Sequence, residues 1–118
     1  MGARSFRELA VFNKAHQWVL DTYRTCQTFP RDELFGLTSQ LKRAAVFVPA
    51  NIAEGFVKRG KADKLRFYNI AQGSLEECRY YLMLAQDLDY AKTDHLSAAL
   101  DEVRRMLEAY IRAIRGGQ

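Results

Sequence analysis

Residues 34–56 read Leu34-Phe35-Gly36-Leu37-Thr38-Ser39-Gln40-Leu41-Lys42-Arg43-Ala44-Ala45-Val46-Phe47-Val48-Pro49-Ala50-Asn51-Ile52-Ala53-Glu54-Gly55-Phe56, and this stretch decides the fold. Leu34, Leu37, Leu41, Ala44, Val48, Asn51 and Gly55 recur at alternating steps of three and four, which is one face of an α-helix. Ala45, Ile52 and Phe56 widen that face. Pro49 lies inside the pattern, where a proline removes a backbone donor and crowds the preceding turn. A break there leaves two short helices, whereas a kink leaves one long one. The rhythm stays in phase on both sides of Pro49, so the spacing predicts a single helix over about 33–56, kinked at Pro49.

Working outward, three more segments carry the same period. Leu9, Phe12, His16, Val19, Tyr23 and Cys26 mark a helix over about 8–27, closed by Phe29-Pro30. After the turn Lys58-Arg59-Gly60-Lys61, a helix over about 62–88 carries the core row Leu65, Tyr68, Ala71, Leu75, Cys78, Leu82 and Ala85. A second row, Phe67, Ile70, Ser74, Tyr81, Leu84 and Leu88, gives it more apolar surface than the roughly 100° stripe that a bundle helix needs. Leu96, Leu100, Val103, Leu107, Tyr110 and Ile114 define the last helix, opened by Thr93 or Asp94 and ending near Arg115. Four helices of about 30 Å joined by short turns pack as antiparallel neighbours. The expected fold is all-α, an antiparallel up-and-down four-helix bundle in one domain over 1–118.

Composition agrees with this class. Of the 118 residues 48% are hydrophobic, enough for a core. No window approaches the roughly 20 apolar residues of a membrane span, and the N-terminal residues lack the apolar stretch of a secretion signal. A cytoplasmic location and no membrane partner are expected.

The residues present exclude several classes of chemistry. A di-metal bundle site uses Glu-x-x-His on two helices, and that spacing occurs nowhere. The chain contains no Gly-x-Ser-x-Gly elbow, phosphate-binding Gly-rich loop or dinucleotide fingerprint. Cys26 and Cys78 fall on apolar faces and read as packed thiols. No catalytic residue, metal ligand or cofactor is expected. His16, Asn51 and Glu54 are polar residues near core faces. A buried polar group without a partner costs about 1–3 kcal/mol. They are expected to bond nearby backbone, with the Asn51 amide donating to a carbonyl freed by Pro49. The competing reading is a small polar pocket at the kink.

The charge is uneven. The chain carries +4, yet the segment from Lys42 to Arg66 carries +5 and the remainder −1. In the last helix Asp101–Arg105, Arg104–Glu108 and Glu108–Arg112 are spaced for local pairing. Lys42, Arg43, Lys58, Arg59, Lys61, Lys64 and Arg66 have only Glu54 and Asp63 nearby. These seven are the candidate nucleic-acid-binding residues, acting on phosphate without sequence preference, since no stacking platform or groove-reading motif accompanies them. Phe67, Ile70, Tyr81, Leu84 and Leu88 are the candidate oligomer interface.

Several stretches together resemble a known family: Phe6-Arg7-Glu8-Leu9, Lys14-Ala15, Phe29-Pro30, Glu33-Leu34-Phe35-Gly36-Leu37-Thr38-Ser39-Gln40-Leu41, Val48-Pro49-Ala50-Asn51-Ile52-Ala53-Glu54-Gly55 and Arg66-Phe67-Tyr68-Asn69-Ile70-Ala71-Gln72-Gly73-Ser74-Leu75-Glu76-Glu77. They are similar to the four-helix bundle proteins encoded in intervening sequences of bacterial 23S ribosomal RNA genes, over about Phe6 to Tyr110. The resemblance implies a ring-like homopentamer and an architecture similar to the accessory protein of diversity-generating retroelements, a basic pentamer that engages nucleic acid. It brings no catalytic residues. The expected function is therefore a non-enzymatic homo-oligomer, a pentamer by the resemblance, contacting RNA or DNA through its basic surface. The rival is a protein-interaction adaptor that docks a protein partner.

Overall fold

The computed structural model describes residues 2–116. Four helices make up the fold: α1 (Ala10–Cys26), α2 (Leu37–Val57), α3 (Lys61–Asp87) and α4 (Asp94–Gly116). Short 3-10 turns, Phe6–Glu8 and Arg31–Glu33, precede α1 and α2, and the described residues include no strand. α1 packs on α2 and α4, and α3 closes the square by packing on the same two helices. Arg79 of α3 reaches Asp101 of α4, and Gln86 reaches Asp94. Lys14 of α1 reaches Glu102 of α4, and Trp18 reaches Leu96. In both pairings one number rises as the other falls, so the partners run antiparallel. The molecule measures 47 × 23 × 20 Å, the proportions of a bundle.

α2 runs unbroken through a buried Pro49, as the continuous rhythm predicts. The Asn51 amide donates to the Phe47 carbonyl at 2.8 Å. That is a backbone acceptor near the proline, but not the one Pro49 deprives of its partner, which is the carbonyl of Ala45. α2 begins at Leu37, four residues later than the spacing predicts. Glu33 is the reason: its Oε1 accepts from the Leu37 amide at 3.0 Å, while its Oε2 accepts from the Tyr90 hydroxyl at 2.7 Å. These two bonds hold its carboxyl below the usual range. Leu34 is left outside the helix, half exposed.

The core rows of α3 and α4 follow the period along most of their length, but Leu65, Tyr110 and Ile114 are only partly buried and Ile111 takes the inward place near the end of α4. Tyr68, Ala71, Leu75, Cys78, Leu82 and Ala85 are buried from α3, and Leu96, Leu100, Val103, Leu107 and Ile111 from α4. In α1 the buried face is rotated. Val11, Ala15, Trp18, Val19, Thr22 and Cys26 are inside, whereas His16 and Tyr23 are exposed. Trp18 is 1% exposed, and its indole N–H donates to the Leu96 carbonyl at 3.0 Å.

Thr93 precedes α4 and its carbonyl accepts from the Ser97 amide. Its hydroxyl turns back to α3, donating to the Leu82 carbonyl at 2.8 Å. The α3–α4 turn closes on Asp89, whose φ is 63°. Tyr90 N–H bonds the Ala85 carbonyl and Asp89 N–H the Gln86 carbonyl, the two bonds of a left-handed helix terminus. An aspartate there bears a Cβ penalty that glycine escapes. Asp89→Gly is expected to stabilise the protein by about 0.5–1 kcal/mol, read as a higher urea midpoint with unchanged slope.

Candidate nucleic-acid interface

The turn between α2 and α3 sets Lys58, Arg59, Lys61, Lys64 and Arg66 at one end of the bundle. Lys61 Nζ donates to the Arg115 carbonyl at 3.3 Å, which brings the end of α4 and its Arg112 and Arg115 to the same place. Phe6 lines a cleft with Ala50 and Ala53, so the N-terminal turn adds Arg4 and Arg7. Among the described residues the acidic side chains near these cations are few, Glu8, Glu54 and Asp63, with Glu108 a turn before Arg112. The opposite end carries Asp32, Glu33, Asp87, Asp89 and Asp94 against Arg31, Lys92 and Lys42, which lines a pocket with Arg31. The bundle is electrically polar along its length.

The cations at the basic end are not equivalent. Lys64 Nζ donates to the Phe56 carbonyl at 2.6 Å and the Gly55 carbonyl at 3.3 Å, closing the C-terminus of α2. Burial there lowers its pKa. Lys58 pairs with Glu54 at 3.6 Å and Arg66 with Asp63 at 3.9 Å. Arg59, Arg112 and Arg115 form no ion pair with a described carboxylate, because Glu108 pairs with Arg104 rather than with Arg112. Asp101 collects Arg79, Arg104 and Arg105 at mid-bundle, so the charges there have partners.

Lys42 and Arg43 do not join the cluster. They lie about 24 Å up α2 from Lys58 at 1.5 Å per residue. There the Lys42 ammonium sits 4.9 Å from the Tyr23 ring centre and the Arg43 guanidinium 6.0 Å from that of Phe47. Charges that are near one another along the sequence are thus separated by the helix, while Arg4, Arg7, Arg112 and Arg115 join the basic end from distant parts of the chain.

Aromatic rings accompany the basic end, contrary to expectation. Lys58 Nζ lies 5.0 Å and the Arg66 guanidinium 4.7 Å from the centre of the Phe67 ring, and Lys64 Nζ lies 5.4 Å from that of Phe56. Phe67 is half-buried beneath these cations, which moves it from the apolar row to the charged end. In the remainder of that row Tyr81 and Leu84 pack partly on the core, while Ile70 and Leu88 stay exposed at 41% and 46%.

The polar pocket considered at Pro49 is an apolar cleft of about 370 Å³, lined by Phe6, Phe12, His16, Val19, Val46, Pro49, Ala50 and Ala53. His16 stacks on Phe12 with ring centres 6.1 Å apart, and Glu54 is exposed. Burial pushes the Cys78 thiol up to about 12 and raises that of Cys26, so neither is an activated nucleophile. Among the described residues no three His, Cys, Asp or Glu side chains gather as a metal site, and no helix is long and apolar enough to cross a membrane.

Four long helices in a closed square, with a basic end and an acidic end, define a small all-α bundle protein. The family model for the 23S rRNA-intervening sequence protein matches residues 7–109, and the chain belongs to that family. Its description names no reaction. Comparison with curated proteins gives no significant match.

Proposed function

We propose that this protein is a non-enzymatic homo-oligomer, a pentamer, that contacts RNA or DNA through its basic end, by phosphate and without sequence preference. One observation carries the reading. Three separate segments converge to set Arg4, Arg7, Lys58, Arg59, Lys61, Arg66, Arg112 and Arg115 around one bundle end with few opposing carboxylates among the described residues. Such a field draws polyanions, and repetition around a ring multiplies it. Exposed apolar side chains on two different faces support assembly: Leu20, Tyr23 and Val46 on α1 and α2, and Ile70 and Leu88 on α3. Two unlike faces suit the head-to-tail contact from which rings larger than a dimer are built. A cytoplasmic location fits this role.

Arg59, Arg112 and Arg115 test it best, because none forms an ion pair with a described carboxylate. Reversing all three to glutamate is expected to weaken binding of mixed-sequence RNA at low salt by about tenfold or more and to flatten the salt dependence. Unchanged affinity in a folded variant removes the basic end from the account. Solution mass tests the ring, and a monomer at micromolar concentration would refute it.

The acidic end supports a second reading, an adaptor that docks a protein partner. Phe35 is 91% exposed there beside Leu34 at 51%. Phe35→Ser is expected to abolish recovery of a stoichiometric protein from nuclease-treated lysate if that end is the working surface.

A further inference from the structure

Phosphate is common to paired and unpaired strands, whereas the rings and cations around Phe67 offer a contact that only an unpaired base can use. We infer that the basic end takes single-stranded nucleic acid in preference to duplex, with the Arg66 guanidinium, backed by the Phe67 ring, serving as the shelf on which an unpaired base stacks. The inference rests on the proposed nucleic-acid contact and adds to it the strandedness of the ligand and the residue that senses it.

The geometry is local. Arg66 and Phe67 are consecutive in the second turn of α3, and the guanidinium carbon lies 4.7 Å from the ring centre. A guanidinium lying over an aromatic ring is held by the ring's electron-rich face and loses less freedom when it binds. Its other face is accessible, since the Arg66 side chain is 61% exposed. The base of the ring is anchored: α2 passes so close at Gly55 that a Cβ added there would stand 3.1 Å from Phe67 Cβ, and the ring is half-buried. A flat, cationic, pre-positioned surface is what an unstacked base binds, and the stack gains about 1–3 kcal/mol per base irrespective of its identity. Lys58, whose ammonium lies 5.0 Å from the centre of the same ring, stands beside the shelf and supplies a phosphate contact, with Arg59 next to it in the chain.

A duplex gains nothing from such a shelf. Its bases are already stacked on one another and present only their edges in the grooves. At this end of the bundle the chain shows turns and helix termini, with α2 ending at Val57 and α3 beginning at Lys61. Duplex binding would draw on the phosphate term alone, whereas a single strand draws on both.

The test uses the full chain and fluorescein-labelled 20-mers of mixed sequence in RNA and DNA, single-stranded and annealed, at matched low salt. Single strands are expected to bind about tenfold or more tighter than the duplexes. Arg66→Lys keeps the charge and removes the plane. It is expected to lower single-strand affinity about five- to tenfold while leaving duplex affinity and the salt slope unchanged. Phe67→Leu, which keeps the apolar packing and removes the ring, is expected to do the same in a variant whose helical circular dichroism is intact. Equal affinity for paired and unpaired strands, or an Arg66→Lys variant unaltered on single strands, overturns the stacking inference and leaves the phosphate reading standing. Absence of binding to any of the four probes overturns both.

Discussion

Trp18→Ala is expected to remove about 3–5 kcal/mol of stability, the largest loss of any single substitution considered for this bundle. The indole is 1% exposed and lies where α1 meets α4, its N–H donating to the Leu96 carbonyl at 3.0 Å. Two costs combine. The ring's apolar surface is lost from the core, and the helices flanking the vacated space close over it only in part. The hydrogen bond itself is the smaller share, because a helix carbonyl also accepts from the amide four residues on, so Leu96 keeps a partner. Trp18→Phe keeps most of the apolar surface while removing the donor and part of the ring, and is expected to cost only about 1–2 kcal/mol. Trp18 is the single tryptophan, so unfolding is followed by circular dichroism in urea. A fixed protomer concentration is needed, since assembly adds to apparent stability. A stability for Trp18→Ala within about 0.5 kcal/mol of the parent would show that the indole is not the keystone of this interface.

Gly55→Ala is expected to destabilise by about 2 kcal/mol, against the direction of helix propensity. On an open helix face that change gains up to about 1 kcal/mol. Here a Cβ would stand 2.6 Å from Tyr68 Cε1 and 3.0 Å from Cδ1. The Tyr68 ring has no room to swing: it is fully buried and meets Tyr110 edge to face, with centres 5.2 Å apart. Burial, and then the contact with the Tyr110 hydroxyl, push the phenol far above its usual pKa, so it stays neutral. The helices must separate or the ring must leave its rotamer, and both cost packing. Tyr68→Leu makes room, so Gly55→Ala should be much less harmful, or even stabilising, in that background. An equal penalty in both backgrounds would show that the ring is not what excludes a side chain at residue 55.

Much of the fold was legible because helical period is a local property. The rows Tyr68-Ala71-Leu75-Cys78-Leu82-Ala85 and Leu96-Leu100-Val103-Leu107 each repeat an apolar residue on one face; α3 carries a second apolar row beside its own, but the small residues Ala71, Cys78 and Ala85 mark the first as the one that packs closely. α1 has two such rows. Leu9-Phe12-His16-Val19-Tyr23 and Val11-Ala15-Trp18-Thr22 both keep the period, offset by about a quarter turn, and the choice between them depends on which neighbours arrive. Trp18 was the available signal, as the residue with the most apolar surface to bury on that helix. The late start of α2 was not legible, because Glu33 caps it while bonded to Tyr90, far along the chain.

The candidate site was legible in part. Lys58, Arg59, Lys61 and Arg66 stand together because they are adjacent in sequence around one turn. Lys42 and Arg43 were drawn in by the same linear count, and the rise of α2 carries them away. Arg112 and Arg115 join only because an antiparallel α4 returns to the start of α3.

By itself, then, the order of residues determined that this protein is four amphipathic helices, that α2 passes through Pro49 in one piece, and that its basicity is concentrated rather than spread. Each of these follows from neighbours a few positions apart. Tertiary structure alone decided which face of α1 is inside, which cations share an end and which rings lie beneath them. Those outcomes depend on pairs such as Lys61 with Arg115 and Trp18 with Leu96, whose meeting is set by how whole helices pack against one another.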